Sequence, residues 1–299
     1  MNKTPSKNNG LLLIDKPTGL TSHDVVARVR KILNEKKVGH AGTLDPLATG
    51  LLVLGIGNST RLLRFAQSQQ KRYTGTVQFG SATDTLDSDG QVLATKAVPE
   101  LSEAEMNAAT TPMLGTQQQV PPMVSAIKVD GQRLHALARQ GIEIERESRE
   151  VTINTFQLRP TEDPAQWHFD VRCSVGTYVR VLLSDFAESI GTLGHLVALR
   201  RESSGDHDVA QALSLEQLEE KTRLGEQVLR PPVAFVSDLP SLRVPDDIVK
   251  RIRMGQRVEL DISLENPEIA ALDIEGNLVG VLRPRGAVWQ PELMLPTVD

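Results

Sequence analysis

A chain of 299 residues, 39% apolar and 24% charged, has the makeup of an ordinary globular protein and is long enough for one large domain plus a smaller one. No apolar run approaches the ~20 residues that span a bilayer, and a single cysteine, Cys173, excludes an internal disulfide or a thiolate metal cluster. The net charge of −5 hides an asymmetry: residues 1–80 carry twelve Lys and Arg against four acids, the remainder 21 against 34, which predicts a basic, nucleic-acid-compatible face near the N-terminus.

Met1 to Asn9 reads as a polar, disordered tail, and the apolar run after it, Leu11 to Ile14, is too short for a signal-peptide core, so a cytoplasmic protein is expected. Gly10 to Ile14 is a short buried strand that ends in the turn Asp15-Lys16-Pro17-Thr18-Gly19. Thr21-x-x-Asp24 resembles a capping box, and Val25, Val26, Val29, Ile32 and Leu33 then recur at helical spacing, which predicts an amphipathic helix over 22–34. Its outer face and exit carry Arg28, Arg30, Lys31, Lys36 and Lys37.

Next comes Gly39-His40-Ala41-Gly42-Thr43-Leu44-Asp45-Pro46-Leu47-Ala48-Thr49-Gly50, too rich in glycine, proline and threonine to be a helix or a strand. Asp45 stands among apolar neighbours, where a charge is costly to bury without a partner. Composition alone leaves it equally a turn residue before proline or a functional carboxylate. An apolar strand over Leu51 to Ile56 follows, and Asn58-Ser59-Thr60 is expected to cap a short helix containing Arg61 and Arg64.

Lys71 to Phe79 alternates as a strand, with Tyr73, Gly75, Val77 and Phe79 on one side, and its basic and aromatic entrance suits RNA. In the acidic loop Ser81 to Gly90, Asp87-x-Asp89-Gly90 resembles part of a calcium loop, but Lys96 stands where the closing glutamate belongs, so no metal is expected. Ser102-x-x-Glu105 opens a short helix, and Val120-Pro121-Pro122 breaks the chain. A strand over Val124 to Val129, a turn at Asp130-Gly131 and a helix over Gln132 to Gln140 with Gly141 as its cap come next. His135 in that helix has no second metal ligand at matching spacing. Strands are expected over about 149–159 and 166–175, then a helix from Gly176-Thr177-Tyr178-Val179-Arg180 to Ile190. Cys173 falls in strand alternation and reads as inert packing. Arg180 sits in a first turn, where the macrodipole disfavours cations, so either a carboxylate partners it or it is a solvated surface residue. Leu193 to Arg201 is a further strand, ending in Arg200-Arg201.

From Pro231 to Pro245 the chain reads as a linker after a domain spanning 10–230. Residues 246–299 form short alternating segments split by Asn266-Pro267, Glu275-Gly276 and Pro284-Arg285-Gly286, the pattern of a small β-rich domain.

The loop from Gly39 to Gly50 resembles the catalytic signature of the TruB family of tRNA pseudouridine synthases. Asp15-Lys16-Pro17, Lys71-Arg72-Tyr73, Thr83-Asp84-Thr85-x-Asp87-x-x-Gly90, Val120-Pro121-Pro122-Met123-x-Ser125-Ala126, Gly176-Thr177-Tyr178-Val179-Arg180 and Leu199-Arg200-Arg201 resemble further family blocks, in family order. The resemblance implies an α+β pseudouridine synthase fold, a mixed, largely antiparallel sheet with flanking helices, followed by a small PUA-like domain. It implies Asp45 as nucleophile on a flipped-out uridine of the tRNA T-loop, Tyr73 stacking on the uracil and aiding proton removal, and Arg180 paired with Asp45. Leu199 would line the pocket, His40 would contact the rearranged T-loop, Asp84 would bind substrate, and Lys16 would support the site and face the RNA. Residues 123–149 would be an insertion that closes over the RNA. No cofactor, metal or obligate protein partner is implied. A pure RNA-binding protein would not need Asp45, Tyr73 and Arg180 together, and no added extension suggests an RNA-guided relative.

Overall fold

The computed structural model describes residues 8–67, 69–123, 128–129, 132–133, 142, 144–260 and 268–296. Strand β1 (Gly10–Lys16) leads into helix α1 (Ser22–Ile32), which starts where expected: Thr21 and Asp24 form a reciprocal capping box, and Val25, Val26 and Val29 are buried. Strands β2 (Val38–His40) and β3 (Thr49–Ile56) frame the glycine-rich loop. The turn after β3 is a 3-10 turn over Gly57–Leu62 without a side-chain cap, continued by α2 (Leu63–Gln67), so Asn58 does not cap a helix there.

Strand β4 (Lys71–Phe79) is followed by a small hairpin, β5 (Ser81–Thr83) with β6 (Val92–Thr95), and by α3 (Glu103–Ala109), capped by Ser102 and Glu105. Strand β7 (Gly115–Gln119) precedes a two-residue ladder of β8 (Lys128–Val129) with β9 (Gln132–Arg133). Gln132 and Arg133 are therefore extended rather than the start of a helix. Asp130-Gly131, His135 and Gly141 lie outside the described residues. Strands β10 (Arg149–Pro160) and β11 (Gln166–Cys173), helix α4 (Val179–Ser189), and strands β12 (Gly194–Ser204) and β13 (His207–Asp208) complete the larger unit.

Nine of these strands form one sheet in the order β1-β3-β12-β4-β11-β10-β7, with β2 attached to β3 and β13 to β12. All its ladders are antiparallel except β3 with β12, where Arg200 and Arg201 lie beside Thr49 and Gly50. That crossover brings the end of β12 against the glycine-rich loop. The period-2 pattern turns Tyr73, Val77, Phe169, Val171 and Cys173 inward, where Leu182, Leu183 and Phe186 of α4 cover them. Cys173 is fully buried, and burial pushes its thiol up to about 11, so it is inert packing.

Two helices had no counterpart in the sequence reading. Helix α5 (Leu215–Arg223) has a Ser214–Gln217 capping box, and α6 (Asp246–Arg253) opens with two acids. Strands β14 (Ser241–Arg243), β15 (Ile269–Leu272), β16 (Leu278–Arg285) and β17 (Val288–Met294) form a four-stranded sheet, consistent with a small PUA-like domain. The stretch read as a linker is packed: Phe235 and Val236 join a core shared by Leu11, Leu51 and Val53 on one side and Val281 and Leu293 on the other. Polar ties reinforce this seam. Arg61 donates to the Met294 carbonyl at 2.7 Å and Arg64 pairs with Glu268 at 3.0 Å. No described helix is long and apolar enough to cross a membrane.

Candidate active site

The loop that carries Asp45 is fixed from several directions. Gly42 has φ 88° and Gly50 φ 98°, values that side chains disfavour, and a Cβ on Gly50 would lie 2.4 Å from the Arg201 carbonyl. Ser22 Oγ accepts from Leu44 N at 2.9 Å and donates to Leu44 O at 3.1 Å. Lys16 Nζ donates to Leu20 O at 2.6 Å, Pro17 O at 3.0 Å and Pro46 O at 3.3 Å. Arg201 donates through Nε to Leu51 O at 2.7 Å and through Nη2 to Gly42 O at 3.3 Å. Two buried cations thus hold the backbone carbonyls of the loop, so that its carboxylate is presented on a rigid support.

Asp45 meets Arg180 as expected. Arg180 Nη2 lies 2.9 Å from Asp45 Oδ2, while Nη1 lies 3.2 Å from Asp87 Oδ2 and donates to Thr85 O at 2.7 Å. Arg180 is 3% exposed, whereas the Asp45 side chain is 40% exposed, so the arginine is internal and the carboxylate tip opens to a cleft. Burial of its surroundings raises the Asp45 pKa, Arg180 opposes the rise, and Asp87 adds to it. The cleft, about 590 Å³, is lined by Asp45, Tyr73, Arg180, Leu199, Lys71 and Arg201 among others. Burial also raises the Tyr73 phenol, with the nearby Arg201 charge acting against it.

Other expected residues sit differently. Asp84 does not line the cleft: its carboxylate accepts from Gln91 N at 2.8 Å and caps its own loop. The acid of this loop that contacts Arg180 is Asp87, itself outside the cleft lining and fixed by Thr85 Oγ1 at 2.5 Å and Asp89 N at 3.2 Å. Lys16 is fully buried, its ammonium held by backbone carbonyls rather than presented at the surface, and burial lowers its pKa to about 8. His40 lies on β2 outside the cleft, packed edge-on to the exposed ring of His23 at 5.5 Å, and burial lowers its pKa. Arg200 is paired with Asp15 through bonds of 3.0 and 2.8 Å. The sequence places Asp87 and Arg201 inside motifs without assigning them a role, and it reads Lys71 as part of an RNA-facing strand entrance, whereas its ammonium is buried against backbone carbonyls. Among the described residues, no group of three His, Cys, Asp or Glu is placed to hold a metal ion.

A sequence model for the N-terminal domain of the TruB family of pseudouridylate synthases matches residues 30–179. A protein of Arthrobacter sp. strain FB24 called tRNA pseudouridine synthase B is 40% identical over 298 residues, covering 96% of each chain. This chain belongs to the TruB family. A protein of the same name from Opitutus terrae is 49% identical over 211 residues, covering 71% of this chain and 87% of its own. Among solved structures, a chain of a Cbf5–Nop10–Gar1 complex superposes with a TM-score of 0.75 at 22% identity, covering 97% of this chain and 86% of the other. A chain from an H/ACA RNP bound to a substrate RNA superposes with a TM-score of 0.74 at 21% identity. At such identities the likeness is one of fold. Membership of the TruB family makes the chain an isomerase that converts uridine to pseudouridine, and the cleft around Asp45 is its candidate active site.

Proposed function

We propose that this TruB-family chain modifies a uridine in the T-loop of tRNA, with Asp45 as the nucleophile and without an obligate protein partner. The observation that carries this reading is the Arg180–Asp45 contact of 2.9 Å at the mouth of a cleft that also holds Tyr73. An attacking carboxylate must be ionised, and burial alone would favour its protonated form; the Arg180 guanidinium favours the ionised one and orients it.

The target base must leave its stack before its bond to the ribose can be reached, at a cost of a few kcal/mol. Stacking on an aromatic side chain returns roughly 1–3 kcal/mol; Tyr73 and Tyr178 both line the cleft, and Tyr73 is assigned the stacking role. Attack by the Asp45 oxygen on the target nucleotide then permits the C1′–N1 bond to break, with its electron pair passing to the uracil. The freed ring turns and C5 bonds to C1′. The proton on C5 is lost, N1 gains a proton, and the carboxylate is released. Atoms balance without an oxidant, a reductant or a metal.

The test uses tRNA transcripts lacking all modifications, with pseudouridine mapped along the RNA. The expected product is a single T-loop pseudouridine, absent when that uridine is replaced by cytidine. Product at another position, with the T-loop untouched, would overturn the assignment.

A further inference from the structure

Four cations line the cleft: Lys71, Arg149, Arg180 and Arg201. Three are committed to acceptors within the protein. Arg180 lies between Asp45 and Asp87, and Arg201 donates to Leu51 O and Gly42 O. Lys71 Nζ donates to Gln67 O at 3.1 Å and Gln69 O at 2.8 Å. All three are buried, and turning any of them outward would strand a buried carbonyl or carboxylate. Arg149 differs: its side chain is exposed, and among the described residues no ion pair takes it up.

Its position is nonetheless fixed. Arg149 opens β10 and pairs in register with Gln119 of β7. The Gln119 side chain in turn grips the backbone of Tyr178, the residue before α4: Oε1 accepts from Tyr178 N at 2.7 Å and Nε2 donates to Tyr178 O at 3.2 Å. The Arg149 backbone is therefore tied to the helix that carries Arg180. Glu150, next along the strand, points to the opposite face.

We propose that Arg149 binds a backbone phosphate of the RNA next to the extruded nucleotide. The proposal rests on the tRNA reading given above. A nucleotide whose base enters the cleft brings its flanking phosphates to the rim, and the guanidinium fork of a rim arginine matches a phosphate's paired oxygens. Arg149 thus anchors the backbone while the buried cations govern Asp45 and its loop.

The test compares the whole protein with Arg149→Gln, Arg149→Lys and Arg149→Glu on unmodified tRNA, measuring dissociation constants across a series of KCl concentrations. The glutamine variant is expected to bind about 5- to 10-fold more weakly near 0.1 M salt, and the slope of log K against log salt is expected to fall by roughly 0.7–0.9. Lysine should restore the slope, and glutamate should bind more weakly still. In a T-arm stem-loop RNA, a neutral methylphosphonate at one position flanking the target should weaken the wild type by a similar factor and the glutamine variant by little or nothing. A salt slope equal to that of the wild type, or full additivity of every methylphosphonate with Arg149→Gln, would overturn the proposal. Pseudouridine formation by the wild type tests the tRNA reading on its own: its absence sinks that reading, whereas its presence with an unchanged slope sinks only the role of Arg149. Matching thermal melting curves establish that the variants are folded.

Discussion

Arg180 Nη1 lies 3.2 Å from Asp87, an acid 7% exposed and held in turn by Thr85 and by the backbone of Asp89. One edge of the guanidinium is thereby fixed so that the other meets Asp45. Asp87 is a positioning residue, acting through Arg180. Replacing it by asparagine keeps the shape but frees the arginine to turn, and a displacement of about 1 Å can lower a rate on the order of 100-fold. Because Asp87 also raises the pKa of Asp45, the variant has a second signature: the acid limb of its single-turnover rate moves to lower pH as the rate falls. A slower enzyme with an unmoved acid limb would contradict this role. Asp84→Asn, at a loop cap outside the cleft, should leave the limb in place.

Arg180→Ala acts in the opposite sense on the same carboxylate. It removes the charge that opposes burial, so Asp45 holds its proton to higher pH and the acid limb moves up. The arginine is internal, so tRNA affinity should change little while the rate falls about 100-fold or more. A loss of affinity with the rate preserved would make Arg180 a phosphate contact instead.

Lys16 and Lys71 give a pH dependence of stability whose direction is fixed. Burial lowers each from 10.5 to about 8 in the folded protein. Between those two values the unfolded chain binds the proton and the folded one has released it, so stability rises with pH across that window and the burden of the buried charge is greatest below about 8. The slope is at most about 1.4 kcal/mol per pH unit for each lysine. Urea unfolding midpoints for the wild type and Lys16→Met at pH 7.5, 8.5 and 9.5 check this: the wild type should gain on the variant as pH rises. Parallel profiles would contradict it.

Arg61 and Arg64 belong to the basic N-terminal excess, yet they are engaged with Met294 O and Glu268 across the seam to the C-terminal sheet. Replacing both by alanine should lower stability by about 0.5–2 kcal/mol, as for partly exposed pairs. The salt slope of tRNA binding should stay at the wild-type value. A slope reduced by one to two units would return these arginines to the RNA face.

The sequence made the principal site legible because its parts are locally abnormal. Asp45 stands among apolar residues in a glycine-rich loop, and Arg180 stands at the wrong end of a helix dipole, so each signals a missing partner. The supporting shell is silent in sequence because it works through buried long-range contacts. Arg201 reads as half of a basic pair until the parallel β3–β12 pairing places it under the loop. Lys16 is expected to support the site and face the RNA, and only the fold shows its ammonium turned onto three carbonyls. Asp84 and Asp87 are near equals in a string of acids, and only the fold separates the loop cap from the arginine's partner. In the fold, α1 and β4 were legible from cap and alternation, whereas α5 and α6 are short and highly charged, and tertiary packing of Leu215, Leu218, Val249 and Ile252 decides them.

The most direct test of the account concerns Asp45 itself. Wild-type protein and Asp45→Asn, both confirmed to bind tRNA, are incubated with unmodified tRNA and pseudouridine is quantified in a single turnover. The wild type is expected to convert the target uridine, and the asparagine variant, isosteric but unable to act as a carboxylate nucleophile, is expected to form no product while binding tRNA as before. Pseudouridine formed by Asp45→Asn at a rate near that of the wild type would contradict the mechanism.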